Sequence, residues 1–169
     1  MNLWVGVIVG LVAAQRVAEL AYAEHNTKRL KERGAVEIGA GHYPFIVVLH
    51  ASWLIAVALA APSDVTITWA WLIAFVVLQA LRLWVLATLG PYWTTRIISL
   101  PGAPLVKKGP YRFVRHPNYL IVACEIAVLP LVFGEWRVAI VFSALNAAIL
   151  AWRIYQEDKA LDVRRGVSA

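Results

Sequence analysis

An all-α integral membrane bundle of about five transmembrane helices is the fold class this sequence predicts. Hydrophobic residues make up 61% of the 169 residues, against about 45–50% in an ordinary soluble domain. Only 15% are charged, and the mean hydropathy is +0.68. The apolar residues are gathered into long runs, and most of the charge falls between them. This excludes a disordered chain, a coiled coil and a disulfide scaffold, and argues against a soluble globular domain. A single cysteine, Cys124, cannot close an internal disulfide. The length fits one domain, 1–169.

The elements follow from the bilayer. Crossing a ~30 Å hydrocarbon core takes about 20 mostly apolar residues. The runs 3–22, 44–61, 67–89, 118–133 and 137–155 qualify or nearly do. The first is no cleavable signal, because Gln15, Arg16 and Glu19 stand where small residues would be needed. The fourth is short, with Pro130 and Gly134 near its end, so the fourth and fifth form a tight helical hairpin.

The charges orient the bundle. Segment 23–43 holds Lys28, Arg29, Lys31 and Arg33, and segment 90–117 holds Arg96, Lys107, Lys108, Arg112 and Arg115. The opposite connections carry only Arg137 among their basic residues. The excess of +6 is therefore read as positive-inside bias rather than as a nucleic-acid surface. The N-terminus should face out, with both basic segments and the C-terminus in the cytoplasm of a bacterial inner or plasma membrane.

Segment 90–117 is long for a connection and dense in glycine and proline, as binding loops are. Gly109 permits a tight turn. Pro117 biases His116 toward extended backbone and suits the first turn of the fourth helix. That helix start, with His116, Tyr111 and Tyr119, makes a site for a small ligand bearing an anionic group. The same residues would equally serve as a basic juxtamembrane loop on lipid headgroups. Arg153 and Glu157 lie four apart on one helix face. They read either as a mutual surface pair or as separate ligand contacts. No His, Cys and carboxylate cluster has ligand spacing, so no metal is expected.

The run Gly109-x-Tyr111-x-x-x-Arg115-His-Pro-Asn-Tyr119, a hairpin, and then Arg153-Ile-x-x-Glu157-Asp158 resembles the isoprenylcysteine carboxyl methyltransferase family. It is most similar to short bacterial members that O-methylate alkylpyrones and related lipidic phenols. The Arg-His-Pro-x-Tyr element also resembles membrane sterol reductases that use NADPH; Arg153-x-x-x-Glu157 favours the methyltransferases. The resemblance implies S-adenosylmethionine as cofactor, bound within about 90–161. It implies a lipophilic acceptor, a prenylcysteine or an alkylpyrone-like hydroxyl. It places Leu105, Val106, Tyr111, His116, Pro117, Asn118, Tyr119 and Glu157 at cofactor-binding positions and Arg153 at the methyl acceptor. Arg96 aligns with a position that is glutamine in some eukaryotic members and is a candidate substrate contact. Alternative activities are an NADPH-dependent reductase and a non-enzymatic lipid-binding protein.

Gln15, Arg16, Glu19, His50, Gln79, Arg82, Glu125 and Asn146 fall inside apolar runs. Charges at that depth cost at least about 2.5–3.5 kcal/mol each unless they face the bundle. Arg16 pairs with Glu19 by spacing, and Arg82 with Glu125 by depth. His50 is a candidate for lining the acceptor's path. Cys124 reads as an inert buried thiol, and Trp53, Trp84 and Trp136 as interfacial anchors.

Overall fold

The computed structural model describes residues 2–62, 64–103 and 106–166, with side chains through residue 157 apart from His42. Its order is α1 (Leu3–Glu32), β1 (Val36–Ile38), α2 (Tyr43–Ala60), α3 (Trp69–Leu89), β2 (Ile97–Ser99), α4 (Pro117–Val132) and α5 (Trp136–Gly166). Short 3-10 turns lie at Ala40–His42, Gly90–Tyr92 and Gly109–Arg112. Four of the helices are long and apolar enough to cross a membrane, and α4 is shorter. At ~1.5 Å per residue α4 reaches about 24 Å, just under the ~30 Å core.

Leu3, Leu11, Leu59, Ile73 and Ile140 are each more than 60% exposed. Such an apolar outer surface belongs in lipid rather than water. Helices that are apolar on every side carry no one-sided pattern, so the buried faces emerge only from packing. On α1 the inward residues are Val5, Val9, Val12, Glu19, Ala23, Asn26, Thr27 and Leu30, at helical spacing.

Two helices run past the apolar segments that announced them. α1 continues through residues 23–32 because polar helix formers follow Tyr22 with no breaker. It stops at Gly34, whose φ of 88° allows its N–H to reach the Lys31 carbonyl at 2.9 Å and the Ala35 N–H to reach Leu30 at 3.0 Å. α5 likewise extends beyond residue 155 to Gly166. The α4–α5 hairpin forms as expected, and α4 passes through Pro130 to Val132. Trp53 is a correction: it is fully buried in the core cluster to which α1, α2, α3 and α4 contribute, because its face of α2 turns inward. Trp84 and Trp136 are exposed on the apolar surface. Cys124 is half-buried rather than enclosed.

The core is layered along α1. Val5, Val9 and Val12 pack with Trp53, Val57, Ile126 and Leu129. Further along, Ala23 packs with Val85, Trp93 and Ile121, and then Leu30 with Ala35 and Leu100. Between the first two layers lies an ionic quartet. Arg82 Nε donates to both Glu19 oxygens at 2.7 and 2.9 Å, and its Nη1 donates to Glu125 at 3.0 Å. Arg16 donates to Glu19 and to Glu125, each at 2.9 Å. Gln15 donates to Glu19 Oε1 at 2.9 Å and Gln79 to Glu125 Oε1 at 2.8 Å. Both expected pairs are present and joined into one network of zero net charge, which is what allows its burial. Buried Asn26, one end of the bundle up, donates to the carbonyls of Gly90 and Trp93 at 3.2 and 2.9 Å. That bond ties α1 to the segment leading into the candidate site.

Candidate functional site

The site assembles where α4 begins and the apolar part of α5 ends. Pro117 occupies the first helical position of α4 and is buried. His116 precedes it with φ −125° and ψ 63°, outside the helical region, as a residue before proline should be. This geometry turns Tyr119 inward in the first turn. The His116 and Tyr119 rings stack with centroids 5.2 Å apart and planes at 14°.

Arg153 and Glu157, one turn apart on α5, converge on the Tyr119 hydroxyl. Arg153 Nε donates to it at 2.7 Å, and the hydroxyl donates to the Glu157 carboxylate. His116 Nδ1 lies 3.8 Å from the same carboxylate. Arg153 Nη2 donates to the Thr95 carbonyl at 2.8 Å. Arg153 is therefore buried at 7% exposure, not lying on a solvated face. A simple surface pair would not bury it; a polar centre between two helices does.

Tyr111 approaches from the Gly109–Arg112 turn. Burial first, and then the Glu157 carboxylate, push its phenol up from its ordinary value, so it stays neutral at physiological pH. Gly109 has φ +57°, and a Cβ there would lie 2.5 Å from Thr88 Oγ1. The turn thus presses on the end of α3, and glycine is what permits both the conformation and the approach. Asn118 leaves its side-chain oxygen buried and without a hydrogen-bond partner.

Of the residues singled out in the sequence, His116, Tyr119, Arg153 and Glu157 meet directly. Tyr111 stands within electrostatic reach of Glu157, and Pro117 and Asn118 shape the helix start. Val106 lines a separate open cleft of about 600 Å³, formed by residues 87–92 and 106–108. Leu105 lies outside the described residues. Arg96 sits beside Thr95, paired with Glu37 at 2.6 Å and 4.3 Å above the Tyr43 ring. His50 is at a different level, with Nδ1 2.8 Å from the Ile46 carbonyl and its ring edge-on to Trp53.

Sequence reasoning missed Thr95, which acts through its backbone, and Glu37 and Tyr43, which belong to the other half of the chain. Glu37 shares the basic stretch 28–37 with Glu32, so nothing local marked it out.

Fold and site together define an integral membrane helical protein with a compact polar centre at one end of its bundle. Residues 70–163 match the model of the isoprenylcysteine carboxyl methyltransferase family. The chain belongs to that family, one of membrane methyltransferases. It is 40% identical over 158 residues to the uncharacterized protein YpbQ of Bacillus subtilis (strain 168), covering 91% of this chain and 94% of that one. It is 25% identical over 164 residues to an uncharacterized protein of Haemophilus influenzae (strain ATCC 51907 / DSM 11121 / KW20 / Rd), covering 94% and 95%. No solved structure matches it.

Proposed function

We propose that this protein is an S-adenosylmethionine-dependent O-methyltransferase. Its acceptor would be the carboxylate or the phenol or enol oxygen of a lipophilic molecule, such as a prenylcysteine or an alkylpyrone. The observation that carries this reading is the convergence of Arg153, Glu157 and His116 on Tyr119, within the family-matched segment.

The residues present suit the cofactor. The buried, unpartnered Asn118 oxygen needs a donor, which an ammonium, a ribose hydroxyl or an adenine amine supplies. Glu157 is an acceptor for the ammonium, and Tyr111 offers a neutral phenol beside it. When bound, the cofactor supplies an electrophilic methyl group on a sulfonium.

The chain's own contribution is orientation and charge. Arg153 holds an acceptor carboxylate, or favours the anion of a phenol or enol by its proximity. Tyr119 fixes the Arg153 side chain relative to Glu157, and so the acceptor relative to the cofactor. Beside Arg153, the exposed rings of Trp152 and Phe45 stand 6.1 Å apart across α5 and α2. Aromatic groups facing the bilayer at that point favour an acceptor with a lipid tail. Basic segments at this end of the bundle favour a cytoplasmic site with the N-terminus outside.

The test is calorimetric binding of S-adenosylhomocysteine to the detergent-purified protein and to Glu157→Ala. Micromolar binding, weakened at least about tenfold in the variant as expected for a lost charged contact, supports the reading. Binding of NADPH in place of S-adenosylhomocysteine moves the assignment to a reductase. If neither ligand binds, a lipid-binding protein without catalysis becomes the better description.

A further inference from the structure

The two short strands pair across the chain, with Val36 opposite Ser99, Glu37 opposite Ile98 and Ile38 opposite Ile97. Six backbone positions are too few to hold a segment by themselves. Side chains add to the hold. Glu37 takes Arg96 Nη1 at 2.6 Å on one oxygen and Lys31 Nζ at 2.7 Å on the other. The Arg96 guanidinium lies 4.3 Å above the Tyr43 ring, and Thr95 Oγ1 donates to the Tyr43 hydroxyl at 3.2 Å. Thr94 Oγ1 donates to the Arg96 carbonyl at 2.8 Å, closing the turn. The carbonyl of Thr95, in the middle of this turn, receives Arg153 Nη2.

We propose that Glu37, Arg96 and Tyr43 form a clamp that positions Arg153 by fixing the Thr95 carbonyl. The proposal rests on reading Arg153 as the residue that holds the methyl acceptor. An arginine side chain carries about 2 kcal/mol of rotamer entropy. Two bonds at different ends of the guanidinium, Nε to Tyr119 and Nη2 to Thr95, fix its plane. Tyr119 belongs to α4, so that bond is set by helix packing. The Thr95 bond depends on the clamp. Arg96 is already paired with Glu37 and covered by an aromatic ring, which suits a positioning residue better than an anion-binding one. Lys31, Glu37 and Tyr43 precede the family-matched segment 70–163. The N-terminal half thus supplies part of the site's geometry.

The test uses full-length protein, labelled with 15N-arginine in detergent micelles. The Arg153 Nε–H signal is assigned by its disappearance in Arg153→Lys. In Glu37→Gln and in Arg96→Gln this signal should broaden or vanish, while the buried Arg82 Nε–H signal stays in place. Arg96→Lys, which keeps a cation on Glu37, should restore the Arg153 signal in part. An unchanged Arg153 signal in both glutamine variants would overturn the proposal. So would collective loss of every buried arginine signal, because the segment would then support the fold rather than one side chain. S-adenosylhomocysteine titrated into the same parent sample distinguishes the two readings. Absent binding alongside a selective Arg153 response would sink the methyltransferase assignment and leave the clamp standing.

Discussion

Neutralising Glu125 should destabilise this protein more than any single apolar truncation of its lipid-facing surface. Glu125 is 1% exposed and accepts from Arg16 at 2.9 Å, Arg82 at 3.0 Å and Gln79 at 2.8 Å. The quartet holds two arginines and two glutamates, so Glu125→Gln leaves one positive charge without a counterion. Its new amide must also place an NH₂ toward groups that are themselves donors. Removing one partner of a buried pair costs about 3–5 kcal/mol. An uncompensated charge near the bilayer centre costs at least about 2.5–3.5 kcal/mol on insertion scales. The two routes meet near 3 kcal/mol, which is a shift of about a hundredfold or more in the folded-to-unfolded ratio.

The assay is unfolding in mixed micelles of rising dodecyl sulfate fraction, followed by helical circular dichroism. The double variant Arg16→Gln, Glu125→Gln restores neutrality and keeps the Glu19–Arg82 pair. It should recover at least about half of the loss, because the unpaired charge is the larger part of the cost. A single variant within about 1 kcal/mol of the parent, the scale of an ordinary hydrogen bond, would refute the reasoning. So would a double variant worse than the single.

Three further outcomes follow from the same geometry. Gly109→Ala should lower thermal stability and weaken S-adenosylhomocysteine binding, since the left-handed conformation costs about 1–2 kcal/mol and the Cβ collides with Thr88; adding Thr88→Ala should recover only the steric part in a thermal-shift assay. Asn26→Ala should cost about 1–3 kcal/mol by leaving the Gly90 and Trp93 carbonyls short of a donor, and Asn26→Asp should be worse because it sets a carboxylate against them. For Glu37, burial alone would raise the carboxyl, but hydrogen bonds from Lys31 and Arg96 hold it below its ordinary 4.5. Its contribution is therefore full above pH 4.5 and lost as pH falls through the lower folded value. Acid unfolding of Glu37→Gln should show a flatter limb below pH 4.5 than the parent, and identical limbs would count against the clamp's electrostatics.

Helix limits were legible where the chain carries a breaker. α2, α3 and α4 agree with their apolar runs to within two residues, set by Pro44, Gly90 and Pro117. The ends of α1 and α5 were not, because hydropathy reports where a helix leaves the membrane rather than where it stops. Helix faces were not legible either. α2 is apolar all round, so nothing local distinguishes buried Trp53 from exposed Phe45. Depth along each helix was enough to bring Arg82 to Glu125, since only a few levels in a bundle can match. In the site, Arg153 and Glu157 were visible as an i, i+4 pair. Their meeting on Tyr119 needed the α4–α5 packing. The Thr95 contact could not be read at all, because any residue has a carbonyl and the strands that fix this one lie about 60 positions apart in the chain.

The two halves of the chain are joined in a way that accounts for both buried polar centres. α1 packs its backbone mainly on α2, and its polar links to α3 and α4 run through the long side chains of Arg16 and Glu19. Arg16 and Glu19 are neutral as a pair within α1, and Arg82 and Glu125 are neutral as a pair within the α3–α4 unit. Each half can therefore enter the bilayer without net charge in its interior. On assembly the pairs share partners crosswise, and no charge has to be desolvated anew. Such a junction is weak as a source of stability but exacting in register, since a one-turn slip of α1 would break the Arg16–Glu125 and Arg82–Glu19 bonds that cross between the two units. Register is what the site requires. Glu37 lies in β1, just beyond the end of α1, so the depth at which Arg16 and Glu19 lock α1 sets where it meets Arg96. The ionic quartet thereby fixes, from within the membrane, the level at which the N-terminal half delivers its clamp to Arg153.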